Sequence, residues 1–215
     1  SPNSLVAPFG GSDSRFTTNP YCTALPASNG ADPIVLDMAT SRVAMGKVRV
    51  AHNKGQEMVP DALIDNQGNP TNDPGVMYSE PKGALRSMGL HKGYGLAVIC
   101  EALAGAFTGG GVFGLDKVAP GKIINNMLTV LIDPDAFGNR AAFDAEINKF
   151  TEWVKASPPA PGVDEVMVPV DPERKSKADR LENGIPIDDT TFEELLAAGE
   201  AMGLAREEAM RIVGN

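Results

Sequence analysis

The segment Gly89-Leu90-His91-Lys92-Gly93-Tyr94-Gly95 sets a basic and a titratable side chain among three glycines at the head of a helix-forming run. Glycine lets backbone approach a ligand closely, amides at a helix start attract negative charge, and Lys92 adds a mobile cation. Such a turn suits the holding of an anionic group or a cofactor, and packing alone gives little reason for it. Leu36-Asp37-Met38-Ala39-Thr40-Ser41 puts an acid at the end of an apolar run. A carboxylate there can accept ribose hydroxyls, because ligands meet α/β sheets at the carboxyl ends of strands. Helix capping by Asp37 or Thr40 is the competing reading and, for this motif standing alone, the stronger one. Arg15-Phe16-Thr17-Thr18-Asn19-Pro20 is by itself a turn of small polar residues entering a strand.

Two further motifs carry less. Gly109-Gly110-Gly111-Val112-Phe113-Gly114 satisfies G-x-G-x-x-G formally. A dinucleotide loop needs a strand before it and a helix after it, whereas a helix precedes this one and a loop follows. A helix-ending glycine cluster is the better reading. Ser1 invites comparison with N-terminal nucleophiles whose own amine serves as base, but a processing or truncation boundary accounts for it more simply, since the chain opens on a loop-like Ser-Pro-Asn-Ser without Met.

The bulk numbers narrow the classes. The 215 residues fit one large domain, or one domain with an appendage, and hydrophobic content of 42% suffices for a core. A formal net charge of −9 argues against a nucleic-acid partner, which would need clustered Lys and Arg. The basic cluster Arg174-Lys175-Ser176-Lys177 is flanked by Asp171, Glu173 and Asp179 and reads as a solvated helix face. Two cysteines and two histidines do not approach zinc-ligand spacing or a disulfide framework. No apolar run reaches membrane-spanning length and no secretory signal is visible, so a cytoplasmic protein without a membrane partner is expected.

The elements that must position these residues follow from periodicity. Residues 34–38 predict a buried strand, 39–47 a helix ended by Gly46, and Val48–Ala51 a strand or a helical continuation. Residues 53–82 form a turn-rich stretch longer than a normal connection. Residues 93–107 predict a buried helix, apolar nearly all round, and Asn126–Ile132 the strongest strand in the chain. Phe143, Ile147, Phe150 and Val154, spaced 4, 3 and 4, predict an amphipathic helix over 143–156. The Pro-rich 157–162 breaks it. Helices are expected over 173–183, 190–201 and 205–213, the second with a capping box from Asp189 or Thr190 to Glu193. The fold class is α+β.

Six ordered motifs resemble one family. Ala7-Pro8-Phe9-Gly10-Gly11, Thr18-Asn19-Pro20, Leu36-Asp37-Met38-Ala39-Thr40-Ser41, Gly46-Lys47, residues 65–71 and His91-Lys92-Gly93-Tyr94-Gly95-Leu96 resemble the type 2 malate/L-lactate dehydrogenases. That family also holds ureidoglycolate dehydrogenase and the cyclic-imine reductases. Residues 150–157 and Gly184-Ile185-Pro186 look most like its hydroxycarboxylate dehydrogenase branch. The resemblance implies a non-Rossmann NAD(P)-binding fold with a mixed, largely antiparallel sheet and C-terminal helices. It implies a homodimer catalysing reversible hydride transfer between nicotinamide and a 2-hydroxy or 2-oxo acid, with NAD or NADP as cofactor. By carry-over, Ser1, Asp37, Met38, Ala39, His91, Lys92, Gly93, Pro169 and Asp171 would meet the cofactor, and Thr18 and Lys47 the substrate.

The chain departs from the family in places. Val168-Pro169-Val170-Asp171 stands where relatives often carry Leu-Pro-Gly-Glu, and Thr17 stands where Gly is usual. Lys47 replaces the Asp of the imine branch, which favours a hydroxy acid. The family's acid/base His, its Ser neighbour and a substrate-carboxylate Arg belong to an N-terminal helical region. Catalytic residues are therefore unassigned here, neither His52 nor His91 is promoted to the role, and a companion N-terminal polypeptide is expected. The implied division is a cofactor-binding domain over 1–156, then a linker and C-terminal helical segment over 157–215. A catalytically silent cofactor-binding or subunit-interaction fragment is the competing reading.

Overall fold

A computed structural model describes residues 4–26, 32–114 and 125–213. The order is β1 (Tyr21–Leu25), β2 (Ile34–Met38), α1 (Met45–Asn53), β3 (Leu63–Ile64), β4 (Pro70–Thr71), a 3₁₀ turn (Pro74–Met77), β5 (Ala84–Leu85) and α2 (His91–Cys100), which runs on as a π-helix (Glu101–Phe107). Then come α3 (Pro134–Phe137), α4 (Arg140–Lys155), α5 (Asp171–Asn183), α6 (Asp189–Ala201) and α7 (Arg206–Ile212). This is an α+β fold. β1 and β2 form an antiparallel pair with Tyr21 opposite Met38 and Cys22 opposite Asp37. β4, β3 and β5, in that order, form a second antiparallel sheet. Val6 joins it through a parallel bridge to Leu85.

The core is small and lies where this second sheet meets α1. Val6, Val48, Leu63 and Leu85 are essentially inaccessible, and Met58, Ala62 and Met77 close around them. Burial of such side chains contributes about 1.5–3 kcal/mol each, which makes this the anchor for the loops above it. The stretch over 53–82 is therefore not one long connection. Asp65 turns it tightly, its Oδ1 accepting from the Gln67 and Asn69 amides at 2.9 Å each.

Several expected elements differ, each for a stated cause. The helix after β2 begins at Met45 rather than Ala39, and Val48–Ala51 lies inside it instead of forming a strand. The backbone of 40–42 is committed elsewhere: the Thr40 amide donates to Thr18, the Arg42 amide to Arg86, and Ser41 bridges Ser87. Gly46 thus opens the helix and does not end it. β2 is not buried, because its hairpin with β1 leaves Leu36 and Asp37 exposed. α2 and its π extension bury only Gly93, Ala97 and Gly105, and Val98, Ile99, Leu103 and Phe107 face outward. Asn126–Ile132 joins neither sheet: a strand needs a partner for its backbone, and this segment pairs with none of the described strands, so Val130, Leu131 and Ile132 stay exposed.

The C-terminal helices lie close to expectation. α4 is capped by Asn139, whose side chain accepts from the Ala141 and Ala142 amides. α6 is capped by Asp188, one residue earlier than expected, and Glu193 pairs with Arg206 of α7 instead of closing a capping box. Arg49 of α1 pairs with Glu194, tying α6 to the core unit. The glycine triplet ends the π-helix with Gly109 and Gly111 at φ +78° and +90°, as a helix-ending cluster should.

Val170, just before α5, sits at φ +79°. This is the left-handed region, where a β-branched residue is strained, and it is where related chains are expected to carry glycine. Val170→Gly is expected to raise stability by about 0.5–1 kcal/mol, the strain relieved exceeding the chain entropy added. Thermal unfolding monitored by circular dichroism reads it, and an unchanged or lowered midpoint contradicts the strain.

Candidate functional site

Thr40 is the hub of the site. It is fully buried at the exit of β2. Its amide and its hydroxyl both donate to the Thr18 carbonyl at 2.9 Å, while its own carbonyl accepts from the Met88 amide at 2.9 Å. The Met88 carbonyl in turn accepts from the Gly93 amide at 2.9 Å. One hydrogen-bonded chain therefore brings together three sequence motifs: the Thr18 turn, the Asp37–Thr40 strand end and the His91–Gly93 turn. The alternative roles for the second motif fall away, since α1 begins at Met45 with Ala44 as an uncapped N-cap, so neither Asp37 nor Thr40 caps a helix.

Gly93 is required by geometry. A Cβ there would lie 2.2 Å from the Met88 carbonyl oxygen. Gly89 and Leu90 both take positive φ, +53° and +56°. The turn presents His91 and Lys92 to solvent, with Gly93 buried beneath them. His91 meets the edge of Phe9, ring centroids 5.9 Å apart. The helix start itself is a poorer anion trap than the sequence suggested: the Lys92, Gly93 and Tyr94 amides already donate to the Gly89, Met88 and Leu90 carbonyls. Attraction for negative charge at this turn falls to the Lys92 ammonium.

Around the hub, Asp37 is exposed, and Thr18, Met38 and Ala39 are half-buried. Lys47 stands exposed in the first turn of α1. Ser1 lies outside the described residues. The two histidines are held apart by different neighbours, His52 stacking on Tyr78 at 4.3 Å. Sequence reasoning missed Asn19. It is buried at φ +33°, its amide donating to the Ala97 carbonyl at 3.0 Å and to Glu101 at 2.8 Å, with Thr17 donating to its oxygen at 2.6 Å. The signal was present in Thr-Asn-Pro, since asparagine tolerates this backbone region better than most residues.

Asp171 is held by its own neighbours, and Arg174 links it to the segment before β2. The Asp171 carboxylate takes hydrogen bonds from Lys155 at 2.7 Å, Arg174 at 3.2 Å and the Val168 amide at 3.1 Å. Arg174 also reaches Asp32, two residues before β2, at 3.5 Å. The bond from Lys155, reinforced by the Val168 amide and the Arg174 charge, holds the Asp171 carboxyl below the usual carboxylate range against a smaller opposing effect of burial. A depressed folded-state value stabilises the fold above the ordinary carboxylate pKa and is lost as pH falls through the lower value. Asp171→Asn should therefore cost a constant amount above about pH 5, with the gap to the parent closing below about pH 4. Urea unfolding across that range checks this, and a gap that does not depend on pH excludes the linkage.

The chain is similar to known proteins in sequence and in fold. A family model described as malate/L-lactate dehydrogenase matches residues 1–196. The chain belongs to the malate/L-lactate dehydrogenase family. Hydroxycarboxylate dehydrogenase B of Escherichia coli K12 is 40% identical over 205 residues, 94% of this chain and 56% of that protein. An L-lactate dehydrogenase of Cupriavidus necator is 42% identical over 174 residues, 81% of this chain and 50% of that protein. Among solved structures, a putative malate/lactate dehydrogenase from E. coli superposes with a TM-score of 0.86 at 40% identity, covering 95% of this chain and 57% of that one. The chain thus spans about half the length of the relatives it matches. Within the malate/L-lactate dehydrogenase family, the unit built around Thr40 lies inside the matched region.

Proposed function

We propose that this chain is the cofactor-binding part of a nicotinamide-dependent oxidoreductase that interconverts 2-hydroxy acids and 2-oxo acids. The observation that carries the reading is the Thr40 hub, which sets an exposed carboxylate (Asp37) and an exposed ammonium (Lys92) on one hydrogen-bonded frame. Neither Asp37 nor Lys92 is spent on an ion pair among the described residues. That donor set suits a dinucleotide: a carboxylate for ribose hydroxyls and a cation for the pyrophosphate or a ring substituent. When bound, NAD or NADP supplies the hydride acceptor or donor. Met38, Ala39 and the His91–Gly93 turn shape its seat, and Pro169 and Asp171 border it. Thr18 and Lys47 face the 2-oxo acid, Lys47 attracting its carboxylate. The fold holding the cofactor is of the non-Rossmann type, with residues 1–156 as the cofactor unit and 157–215 as an accessory helical segment.

Reducing a ketone needs a proton donor poised near neutrality. His52 is stacked on Tyr78 and His91 braces Phe9, so neither is assigned that role. We assign the acid/base group to the part of the relatives' length that this chain does not span, in a dimeric, cytoplasmic enzyme. The coverage of 56% favours a second reading as well, in which the chain alone binds cofactor but does not turn over.

The test is titration of NADH and NADPH followed by nicotinamide fluorescence, then addition of 2-oxo acids such as pyruvate or oxaloacetate, to these 215 residues and to a protein spanning the relatives' full length. Saturable binding that weakens at least tenfold (about 1.4 kcal/mol) in Lys92→Ala is expected. Turnover only in the full-length sample assigns these residues as a cofactor-binding part. Affinity indifferent to Lys92 would overturn the site.

A further inference from the structure

A cavity of about 300 Å³ opens between the Pro8–Gly11 turn, the Asp65–Pro70 hairpin and the end of β5, and the proposed function leaves it unused. Its wall includes Phe9, Gly10, Gly68, Arg86, Ser87 and Leu90. Among the described residues, Arg86 is the one charged residue lining it, and no carboxylate does so. In a chain of net charge −9, a cavity whose described lining carries a cation and no acid favours an anion.

Arg86 is fixed from several sides. Its amide donates to the Ala62 carbonyl at 2.9 Å, its carbonyl accepts from the Arg42 amide at 2.7 Å, and one terminal nitrogen meets Asp61 at 2.6 Å. Asp61 is itself 71% exposed at its side chain, while Arg86 is only 20% exposed. A guanidinium carries five N–H donors in a planar fork, and this single contact leaves most of them for another planar acceptor. Ser87 lines the same cavity, is 6% exposed, and its hydroxyl oxygen is buried without a partner among the described residues. A buried polar atom left unpaired is uncommon enough to need a reason. Gly10 at φ +84° and Gly68 at φ +91° line the same cavity.

We propose that this cavity binds the oxyanion of a small carboxylate or phosphate, with Arg86 as the charged clamp and Ser87 as a second donor. It adjoins the cofactor turn through Leu90 and through the Phe9–His91 contact, so the ligand group lies beside the cofactor seat without sharing Asp37 or Lys92. The site does not depend on the dehydrogenase reading: failure of NADH to bind leaves it standing.

The experiment is a titration of the ¹⁵N-labelled chain with sodium acetate and, separately, with inorganic phosphate, at ionic strength held constant by sodium chloride. Saturable amide shifts confined to Gly10, Gly11, Gly68, Arg86 and Ser87 are expected, with a Kd on the order of 1–50 mM. Arg86→Gln should weaken binding at least tenfold and Ser87→Ala several-fold. Asp61→Asn should strengthen it several-fold, because it removes the competing carboxylate at a position of φ +61° that asparagine accepts. That gain separates an anion site from a merely structural arginine, and it remains readable where Arg86→Gln disturbs the fold. Response to acetate alone assigns a carboxylate ligand, to phosphate alone a phosphate-bearing one, and either supports the site. Shifts that do not saturate, or an affinity indifferent to both Arg86→Gln and Asp61→Asn, overturn it.

Discussion

Gly93→Ala is expected to destabilise the chain by about 3 kcal/mol, at the upper end of what overpacking costs. The added methyl would stand 2.2 Å from the Met88 carbonyl oxygen, 2.8 Å from Met88 Cγ and 2.9 Å from the Met88 amide nitrogen. The carbonyl and the amide are backbone, and neither is free to retreat: the amide is bonded to Thr40 and the carbonyl to the Gly93 amide itself. Relief therefore means breaking the Thr40–Met88–Gly93 chain, which also moves His91 and Lys92. Urea unfolding should show a lower midpoint at unchanged slope, and cofactor affinity should fall in parallel. Gly95→Ala is the control, two residues on in the same helix with nothing within 4 Å of its new methyl. It should stabilise by up to about 1 kcal/mol, the usual gain of alanine over glycine in a helix. Equal behaviour of the two variants would refute the steric account.

Asn19→Ala is expected to cost about 2–4 kcal/mol, because it removes a fully used side chain from a buried network. Three hydrogen bonds go, to Ala97, Glu101 and Thr17. Among the described residues Glu101 keeps only the Phe113 amide, at 2.6 Å, and loses the partner that ties the α2–π junction to the Thr18 turn. Alanine also fits poorly at φ +33°. Asn19→Asp separates charge from shape. It would set a carboxylate against Glu101 and the Ala97 carbonyl, so its penalty should exceed that of alanine at neutral pH and shrink on acidification, as one of the two carboxyls takes a proton. An aspartate variant as stable as the parent at pH 7 would mean that the network contributes little.

Much of the site was written in local sequence. The Thr18 turn, Asp37 after an apolar run, and the glycine-flanked His91-Lys92 pair are short-range signals, and their order was enough to indicate the family. Helices α4 to α7 were legible for a similar reason: their apolar spacing and caps act within a few residues, and tertiary packing only shifted a cap from Asp189 or Thr190 to Asp188.

What failed were inferences that depend on distant partners. Asn126–Ile132 has the composition of a central strand, yet a strand exists only where another edge accepts its hydrogen bonds, and none of the described strands does. Residues 39–44 have the composition of a helix, but their backbone is claimed by Thr18, Arg86 and Ser87, from segments 22 to 46 residues away. Nothing local announces such a claim.

The sequence by itself determined the motif order, the family, the C-terminal helices and the acidic character of the chain. Only the tertiary structure decided how the motifs meet. It made Thr40 the hub and Asn19 its neighbouring brace, gave Gly93 a steric role of its own, and made Arg86 the one charged group among the described residues lining a cavity. The reason is common to all four. Hydrogen bonds and steric contacts between segments far apart in the chain leave no periodicity behind, so only the folded geometry records them.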